Sequence, residues 1–151
     1  MSAACEDLIL LSFAGDAGAA PARPSMALAL AGGALADLML EGRIEVVDDR
    51  LSLVDWSPVG IAYLDSVLGR IHAAGAPRPV GDWLGDLSDT AIDLEASVLA
   101  AVLERKLLIA DDWPLAGGFT VTGFSPAPEA DARIRRLLDH LERKKPIKPR
   151  E

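Results

Sequence analysis

The sequence predicts a mostly helical fold with two β-hairpins, in which two winged-helix-like halves pack as one domain. Half of the 151 residues are apolar but only 5% are aromatic, so aliphatic side chains must fill the core, which favours packed helices over a β-sandwich. Apolar residues recur at helical spacing in several segments, and short alternating runs flank turns that are rich in acids or glycine. The length is typical of a single domain.

Two helices are predicted at the start of the chain. Residues 5–13 form an apolar run with acids near its start, where a helix dipole favours negative charge. Residues 15–24 are rich in Ala, Gly and Pro and predict a loop. A second helix is predicted over residues 26–40, in which Gly32–Gly33 favours close packing of another backbone over a ligand role, and Gly42 suits its C-terminal cap. The predicted apolar face of this helix comprises Leu28, Leu35, Leu38 and Met39.

A hairpin and two further helices are predicted next. Apolar residues on both sides of Asp48–Arg50 predict a hairpin over residues 44–53. Residues 61–74 carry their apolar positions on one face, as an amphipathic helix does. Residues 80–87 predict a short helix with Trp83 facing inward.

The second half of the chain predicts a helix, a strand, another hairpin and a last helix. Residues 91–106 are the longest stretch of good helix propensity, and residues 107–109 read as a strand. The pair Gly117–Gly118, followed by alternating residues, predicts a hairpin over residues 113–124. The final helix is predicted over residues 129–143.

An internal repeat is the basis for the two winged-helix-like halves. Each predicted copy is a helix that leads into a strand, an acidic turn and a second strand, which is the outline of a winged-helix unit. The two copies align at an offset of 63 residues, which matches Leu40, Glu41, Ile44, Asp48 and Asp49 with Leu103, Glu104, Leu107, Asp111 and Asp112.

Charge and composition limit the compartment and the partners. A net charge of -8 argues against non-specific binding to DNA. The single cysteine fits a reducing compartment, and no run approaches the roughly eighteen apolar residues of a membrane-spanning helix. We therefore expect a cytoplasmic protein, peripheral at any membrane that it contacts. Residues 1–143 are expected to form the domain and residues 144–151 a basic, flexible tail.

Three segments of the chain resemble, in order, the Golgi phosphoprotein 3 family. The first is Leu35-Ala-Asp-Leu-Met-Leu-Glu-Gly-Arg-Ile44; the second is Asp55-Trp-Ser-Pro-Val-Gly60 with Leu64-Asp65, Leu68 and Ile71; the third is Pro77-Arg-Pro79 with Trp83-Leu84 and Leu87, then Val102-Leu-Glu-Arg-Lys-Leu107. The resemblance covers residues 5–143. It implies a mostly helical domain that sits on membranes by binding phosphatidylinositol 4-phosphate, without a known enzymatic activity.

The residues that would bind this lipid differ from the family pattern. In the family, one Trp and three Arg hold the headgroup phosphate. The corresponding positions here are Ala22, Ala31, Ile92 and Glu95, so the charge-assisted hydrogen bonds to a phosphate are lost. Arg23 lies beside the first position and is the only replacement that the sequence offers, although an arginine in a loop is ordinarily just solvated.

The resemblance also assigns a contact role to the second hairpin. The segment 113–124 corresponds to a hydrophobic hairpin that the family uses for membrane or subunit contact; the residues expected to form this surface are Trp113, Leu115, Phe119 and Phe124. Burial of these side chains against the domain is the alternative. Full family members continue with further helices after the segment that matches residues 129–143, so the faces that those helices would cover must be polar or buried against another chain. A homo-oligomer or a protein partner is therefore expected beside a phosphoinositide or anionic lipid surface.

No residues form a catalytic or metal-binding pattern. His72 and His140 lack companion ligands at metal spacing. Cys5 has no basic neighbour in sequence that would make it a nucleophile. We therefore expect no enzymatic activity, no metal and no cofactor.

Two functions fit these observations. The first is a peripheral membrane or protein-interaction module of a phosphoinositide-binding family that has not kept the lipid-binding residues. The alternative is a winged-helix-like regulator that contacts protein or nucleic acid. Nucleic acid is not the expected partner, because Asp93, Glu95 and Glu104 on the predicted 91–106 helix have the wrong sign for phosphates. The basic residues, which form either a solvated helix face or a surface for an anionic partner, are Arg133, Arg135, Arg136, Arg143, Lys144, Lys145, Lys148 and Arg150.

Overall fold

The computed structural model describes residues 4–13, 23–89, 94–114, 116–118 and 120–143. The helices in this part of the chain are α1 (Ala4–Ser12), α2 (Arg23–Leu40), α3 (Ala62–Ala74), α4 (Val80–Ser88), α5 (Leu94–Glu104) and α6 (Pro128–Arg143). Strands β1 (Ile44–Val47), β2 (Arg50–Leu53) and β3 (Arg78–Pro79) form one antiparallel sheet, and β4 (Leu108–Pro114) pairs with β5 (Thr120–Pro126) in another. The predicted mostly helical fold with two hairpins is confirmed.

Helix α2 differs from its prediction in its start and in its buried face. It begins at Arg23 rather than at residue 26, so the last two residues of the loop predicted over residues 15–24 belong to the helix. The other residues of that loop lie outside the described residues. Two of the predicted apolar positions, Leu28 and Met39, are exposed. The buried face comprises Met26, Leu30, Ala31, Ala34, Leu35 and Leu38. Small alanines occupy this face because neighbouring helices pack closely on it, and side-chain hydrophobicity alone does not show that.

The strands also differ in detail from the prediction. The strand predicted over residues 107–109 and the hairpin predicted over residues 113–124 are one long hairpin, β4–β5, whose pairs run from Leu108 with Pro126 to Pro114 with Thr120. Strand β3, which pairs with the outer side of β2, was not predicted, because two residues are too few to show a sequence pattern.

The order of helix, hairpin and helix recurs in both halves, but the predicted alignment of the two copies is wrong in two respects. Asp111 and Asp112, which it sets in an acidic turn, lie within β4 and pair with Gly123 and Thr122. The register also differs by one residue. Helix α2 is capped after its last residue by Gly42, which has a left-handed backbone (φ 68°), and helix α5 is capped in the same way by Lys106 (φ 57°). At both ends the left-handed residue and its successor donate to carbonyls of the last helical turn, over 2.9 to 3.1 Å, which is a Schellman motif. These two residues are 64 positions apart, so the offset of 63 is wrong. Each helix then leads into a hairpin and a further helix.

Helix α1 contacts α2 of the first repeat and α5 and α6 of the second, and it approaches α2 closely at Gly33. A Cβ atom at Gly33 would stand 3.1 Å from Leu8 Cδ1 and 3.4 Å from the backbone nitrogen of Cys5. At Gly32 the nearest atom, Leu84 Cδ2, would be 3.9 Å away, which is ordinary contact. The close packing predicted for this glycine pair is therefore confirmed at Gly33.

The buried carboxylate of Glu6 connects α1 to the second repeat. Arg105 Nη1 contacts both carboxylate oxygens at 2.6 and 2.5 Å, and Arg133 Nη1 lies 3.5 Å from the Oε2 atom. Arg133 also donates to Asp7 through its Nε at 2.7 Å. Glu6 is buried, and a buried charge requires a partner of opposite charge. The half-exposed Arg105 supplies that charge.

Substitution of the two neighbouring glycines should have opposite effects on stability. Gly33→Ala should lower the free energy of unfolding by roughly 1–2 kcal/mol because its methyl group crowds α1. Gly32→Ala, the matched control, should be neutral or stabilise by up to about 1 kcal/mol through helix propensity. Urea denaturation of both variants measures the difference, and equal effects would contradict the close approach of α1 to Gly33.

Removal of the arginine that pairs with Glu6 should be costly. Arg105→Ala leaves a buried carboxylate with only the longer contact to Arg133, so we expect a loss of roughly 2–4 kcal/mol of unfolding free energy. Arg135→Ala, which removes an exposed ion pair with Asp131, should cost less than about 0.5 kcal/mol. Similar unfolding midpoints for the two variants in urea would show that Glu6 is solvated in solution.

Candidate functional site

Two of the four positions at which the family holds a phosphate lie in the described part of the chain. Ala31 is fully buried in the face of α2 that packs against the core, so a longer charged side chain would have no solvent there. Glu95 is half-buried in the first turn of α5, where a helix dipole stabilises its negative charge. Ala22 and Ile92 lie outside the described residues. Neither described position therefore offers a phosphate a hydrogen-bond donor from its side chain.

The predicted substitute, Arg23, is the first residue of α2. Its backbone is therefore part of a helix rather than of the loop that the sequence predicts. Its side chain is not among those described. A donor at the N-terminal end of a helix has the favourable dipole for an anion, but that feature is shared by every helix.

The second hairpin is anchored at its base and exposed at its turn. Leu108 is buried where β4 begins, and Ala127 is buried directly after β5. Between the strands, residues 116–118 are exposed, and Gly117 and Gly118 have φ angles of 87° and 81°, which only glycine adopts without strain. The predicted glycine turn is thus confirmed.

The four predicted contact residues of this hairpin divide between described and undescribed parts. Phe124 is half-buried, and its ring meets that of Phe13 edge-on with centroids 6.0 Å apart. The side chain of Trp113 and the whole of Leu115 and Phe119 lie outside what the structure describes. The assignment of a contact surface to these residues stays a prediction.

The two faces of the hairpin have different surroundings. Ala110 pairs with Phe124, and Ile109 pairs with Ser125. Because successive residues of a strand point to opposite faces, Phe124 lies on the face that packs toward α1, and Ile109 lies on the other face, where it is 47% exposed. Sequence reasoning missed Ile109, since only the pairing register separates it from its buried neighbour Leu108.

An exposed pair of stacked rings lies beside the first hairpin. Trp56 is 63% exposed, and its ring stacks on His72 of α3 with centroids 4.6 Å apart and planes inclined by 10°. The preceding Asp55 accepts hydrogen bonds from the backbone and the hydroxyl of Ser57 at 2.9 and 2.7 Å and from Arg43 Nη1 at 2.7 Å. The bonds from Ser57 hold the pKa of Asp55 below its usual value, and Arg43 adds to the effect. The turn thus presents Trp56 from a hydrogen-bonded segment.

The buried polar groups near the start of α1 have structural roles. Asp37 of α2 accepts hydrogen bonds from the backbone nitrogens of Ala4 and Cys5 at 2.9 and 3.4 Å, so it caps α1. Burial raises the pKa of Asp37 despite these bonds. The Cys5 thiol donates to the carbonyl of Leu30 at 3.3 Å, and burial, followed by the charges of Asp37 and Glu6, raises its pKa to about 12. A thiol in this state is not a nucleophile at neutral pH.

Neither histidine has a metal-like environment in the described structure. His72 is exposed within its ring stack, and His140 is exposed on α6. Within residues 4–13, 23–89, 94–114, 116–118 and 120–143, no three or more His, Cys, Asp or Glu side chains stand close enough together to hold a metal ion. Among the helices of the same ranges, none has the length and apolar character to cross a bilayer.

Comparison with known proteins gives one family match. The family model described as Golgi phosphoprotein 3 (GPP34) matches residues 5–151. A comparison with curated protein sequences gives no match. The segments that carry the resemblance lie on defined elements, since Gly42 caps the end of α2, Asp65 lies in the first turn of α3 and Trp83 lies in α4. Because the match covers nearly the whole chain, this protein belongs to the Golgi phosphoprotein 3 family.

Proposed function

We propose that this protein is a non-enzymatic peripheral membrane or protein-interaction module that does not recognise the phosphatidylinositol 4-phosphate headgroup. Family membership supports the first part. The burial of Ala31 supports the proposed lack of headgroup recognition. The resemblance expects an arginine at this position, but the position is part of the core. An arginine there would bury an unpaired charge, which a folded protein tolerates poorly.

The energetic effect of these substitutions on lipid binding is large. A hydrogen bond to a charged group contributes roughly 1.5–3 kcal/mol, and the loss of several lowers affinity by orders of magnitude. Glu95 adds repulsion of a phosphate. Arg23 alone does not restore the lost bonds, because a single guanidinium forms at most one bidentate contact.

Exposed apolar groups support contact with protein rather than with an anionic bilayer. Trp56 and Ile109 are large and exposed on described parts of the surface. Aromatic residues at a surface favour protein interfaces, where one face is apolar and the other wet. The net charge of -8 weakens long-range attraction to anionic lipid.

The second candidate is a winged-helix-like regulator that contacts protein or nucleic acid. The repeated order of helix, hairpin and helix favours it. Glu95 and Glu104 at the two ends of α5 disfavour the nucleic-acid form, because both repel phosphates. A protein contact is therefore the form of this candidate that overlaps with the first proposal.

Vesicle binding tests the headgroup proposal. We expect equal binding to phosphatidylcholine vesicles that contain phosphatidylinositol 4-phosphate or, at the same surface charge, phosphatidylserine. Co-sedimentation measures the difference, and a labelled DNA duplex in a mobility assay tests the second candidate. Binding that is at least roughly tenfold tighter to the phosphoinositide vesicles would contradict the proposal. If the Arg23→Ala variant then lost this preference, Arg23 would be identified as the replacement donor.

The turn of the second hairpin should contribute little to stability if it is a contact surface. Leu115→Ser with Phe119→Ser should shift the melting temperature by less than about 2 °C, since one kcal/mol in a domain of this size corresponds to several degrees. Phe124→Ser, the control, should lower it by roughly 5 °C or more, because its ring packs against Phe13. Scanning calorimetry measures both variants. A double variant as unstable as Phe124→Ser would show that the turn residues are ordinary core.

A further inference from the structure

The second half of α6 has an apolar face that the described residues leave uncovered. Its apolar residues follow helical spacing; they are Ala130, Ile134, Leu137, Leu138 and Leu141. The first two are buried where the helix contacts α1 and β5. Leu138 and Leu141 belong to the same face but are 42% and 56% exposed. The face therefore continues beyond the part of the domain that covers it.

The charges of α6 favour a protein over an anionic lipid as the occupant of this face. The helix has four acidic and four basic residues, so with neutral His140 its net charge is zero, although the chain as a whole is strongly acidic. Glu142 is directly adjacent to Leu141 and is exposed. An anionic bilayer in contact with the leucines would meet this carboxylate as well as the exposed Arg135, so it would gain little electrostatic attraction. A second helix with both charges can pair with each of them.

The arrangement of charges on one flank of the face is self-complementary. Arg135 and Glu142 are seven residues apart, which is about two helical turns, so both lie on the same flank. The side chain of Arg135 is 76% exposed even though it pairs with Asp131, so its remaining donors face solvent. A two-fold axis that passes between Leu138 and Leu141 would place Leu138 of each copy opposite Leu141 of the other copy. Arg135 of each copy would then lie beside Glu142 of the other.

We propose that α6 pairs antiparallel with α6 of a second copy of this chain, through Leu138 and Leu141 and two reciprocal ion pairs between Arg135 and Glu142. The contact is small and half of it is polar, so the dimer is weak and depends on concentration. It deepens the protein-interaction part of the proposed function. The dimer and the proposed function can fail separately. A chain that is strictly monomeric and shows no headgroup selectivity would overturn the dimer but not the proposed function.

Sedimentation velocity over a concentration series tests the apolar part of this contact. The native chain should increase in mass with concentration. Leu138→Ser with Leu141→Ser should weaken self-association by roughly tenfold or more, while circular dichroism and melting temperature stay unchanged because both side chains are exposed. Leu28→Ser, an equivalent change at an exposed leucine of α2, is the control and should leave self-association unchanged.

A charge exchange tests the pairing register. Arg135→Glu alone should weaken self-association because it sets two carboxylates against each other, and Glu142→Arg alone should do the same with two guanidinium groups. Mixed in equal amounts, the two variants should form a heterodimer, because every cross-contact then joins opposite charges. The variant that carries both changes should also dimerise with itself.

Several results would overturn the dimer. A native chain that stays monomeric at all concentrations would do so, and so would variants that fail to associate when mixed. If the leucine variants leave the mass unchanged but abolish sedimentation with phosphatidylserine vesicles, the face binds lipid instead. A mass that depends on the Leu115 and Phe119 variants, but not on those of α6, would assign self-association to the hairpin turn.

Discussion

The buried carboxylate of Glu6 in α1 forms the ion pairs that hold this helix, and with it the first repeat, against the second repeat. Helix α1 belongs to neither repeat, yet Glu6 and its neighbour Asp7 reach Arg105 at the end of α5 and Arg133 in α6. Asp37 fixes the other side of α1 by capping its first turn, and Gly33 lets the two backbones approach. Because the carboxylate of Glu6 is buried in this arrangement, any packing that keeps it buried but moves the arginines away leaves a charge without compensation. Helix α1 thus adds to the direct contacts of α2 and α3 with α5 in holding the two repeats together.

The sequence was sufficient for features that depend on neighbouring residues. Helix α3, the turn at Asp48 and Asp49, and the end of α2 at Gly42 follow from periodicity and turn chemistry, and each is present. Features that depend on distant residues were missed. The pairing of Glu6 with Arg105 spans 99 positions, and no local pattern indicates it. The exposed Leu28 was assigned to the core in place of Ala31, because hydrophobicity ranks leucine above alanine while close helix packing requires the smaller residue.

For the candidate sites, too, the sequence was sufficient for features that depend on residue type but not for features that depend on distant residues. The loss of phosphate-binding donors was predictable from residue types alone, since alanine at position 31 has none. That this position is also core required the structure. The exposure of Ile109, Trp56, Leu138 and Leu141 was not predicted, because residue type alone does not show which apolar side chains the fold leaves uncovered. Only the extent of the neighbouring elements shows where an apolar face is no longer covered.

The two Schellman motifs differ in the residue that has the left-handed backbone, and this difference makes the two helix ends unequal in backbone strain. Gly42 adopts its left-handed backbone freely, whereas Lys106 does so at a cost of about 1–2 kcal/mol. The junction between α5 and the second hairpin therefore carries strain that the junction between α2 and the first hairpin lacks. Amide protons at Lys106 and Leu107 should therefore exchange with solvent through local openings that cost less free energy than global unfolding. We therefore expect the backbone at Lys106 to open more readily than the backbone at Gly42, whereas inside the hairpins the order is reversed, because Asp48 and Asp49 have left-handed backbones (φ 51° and 62°) where the second hairpin has Gly117 and Gly118.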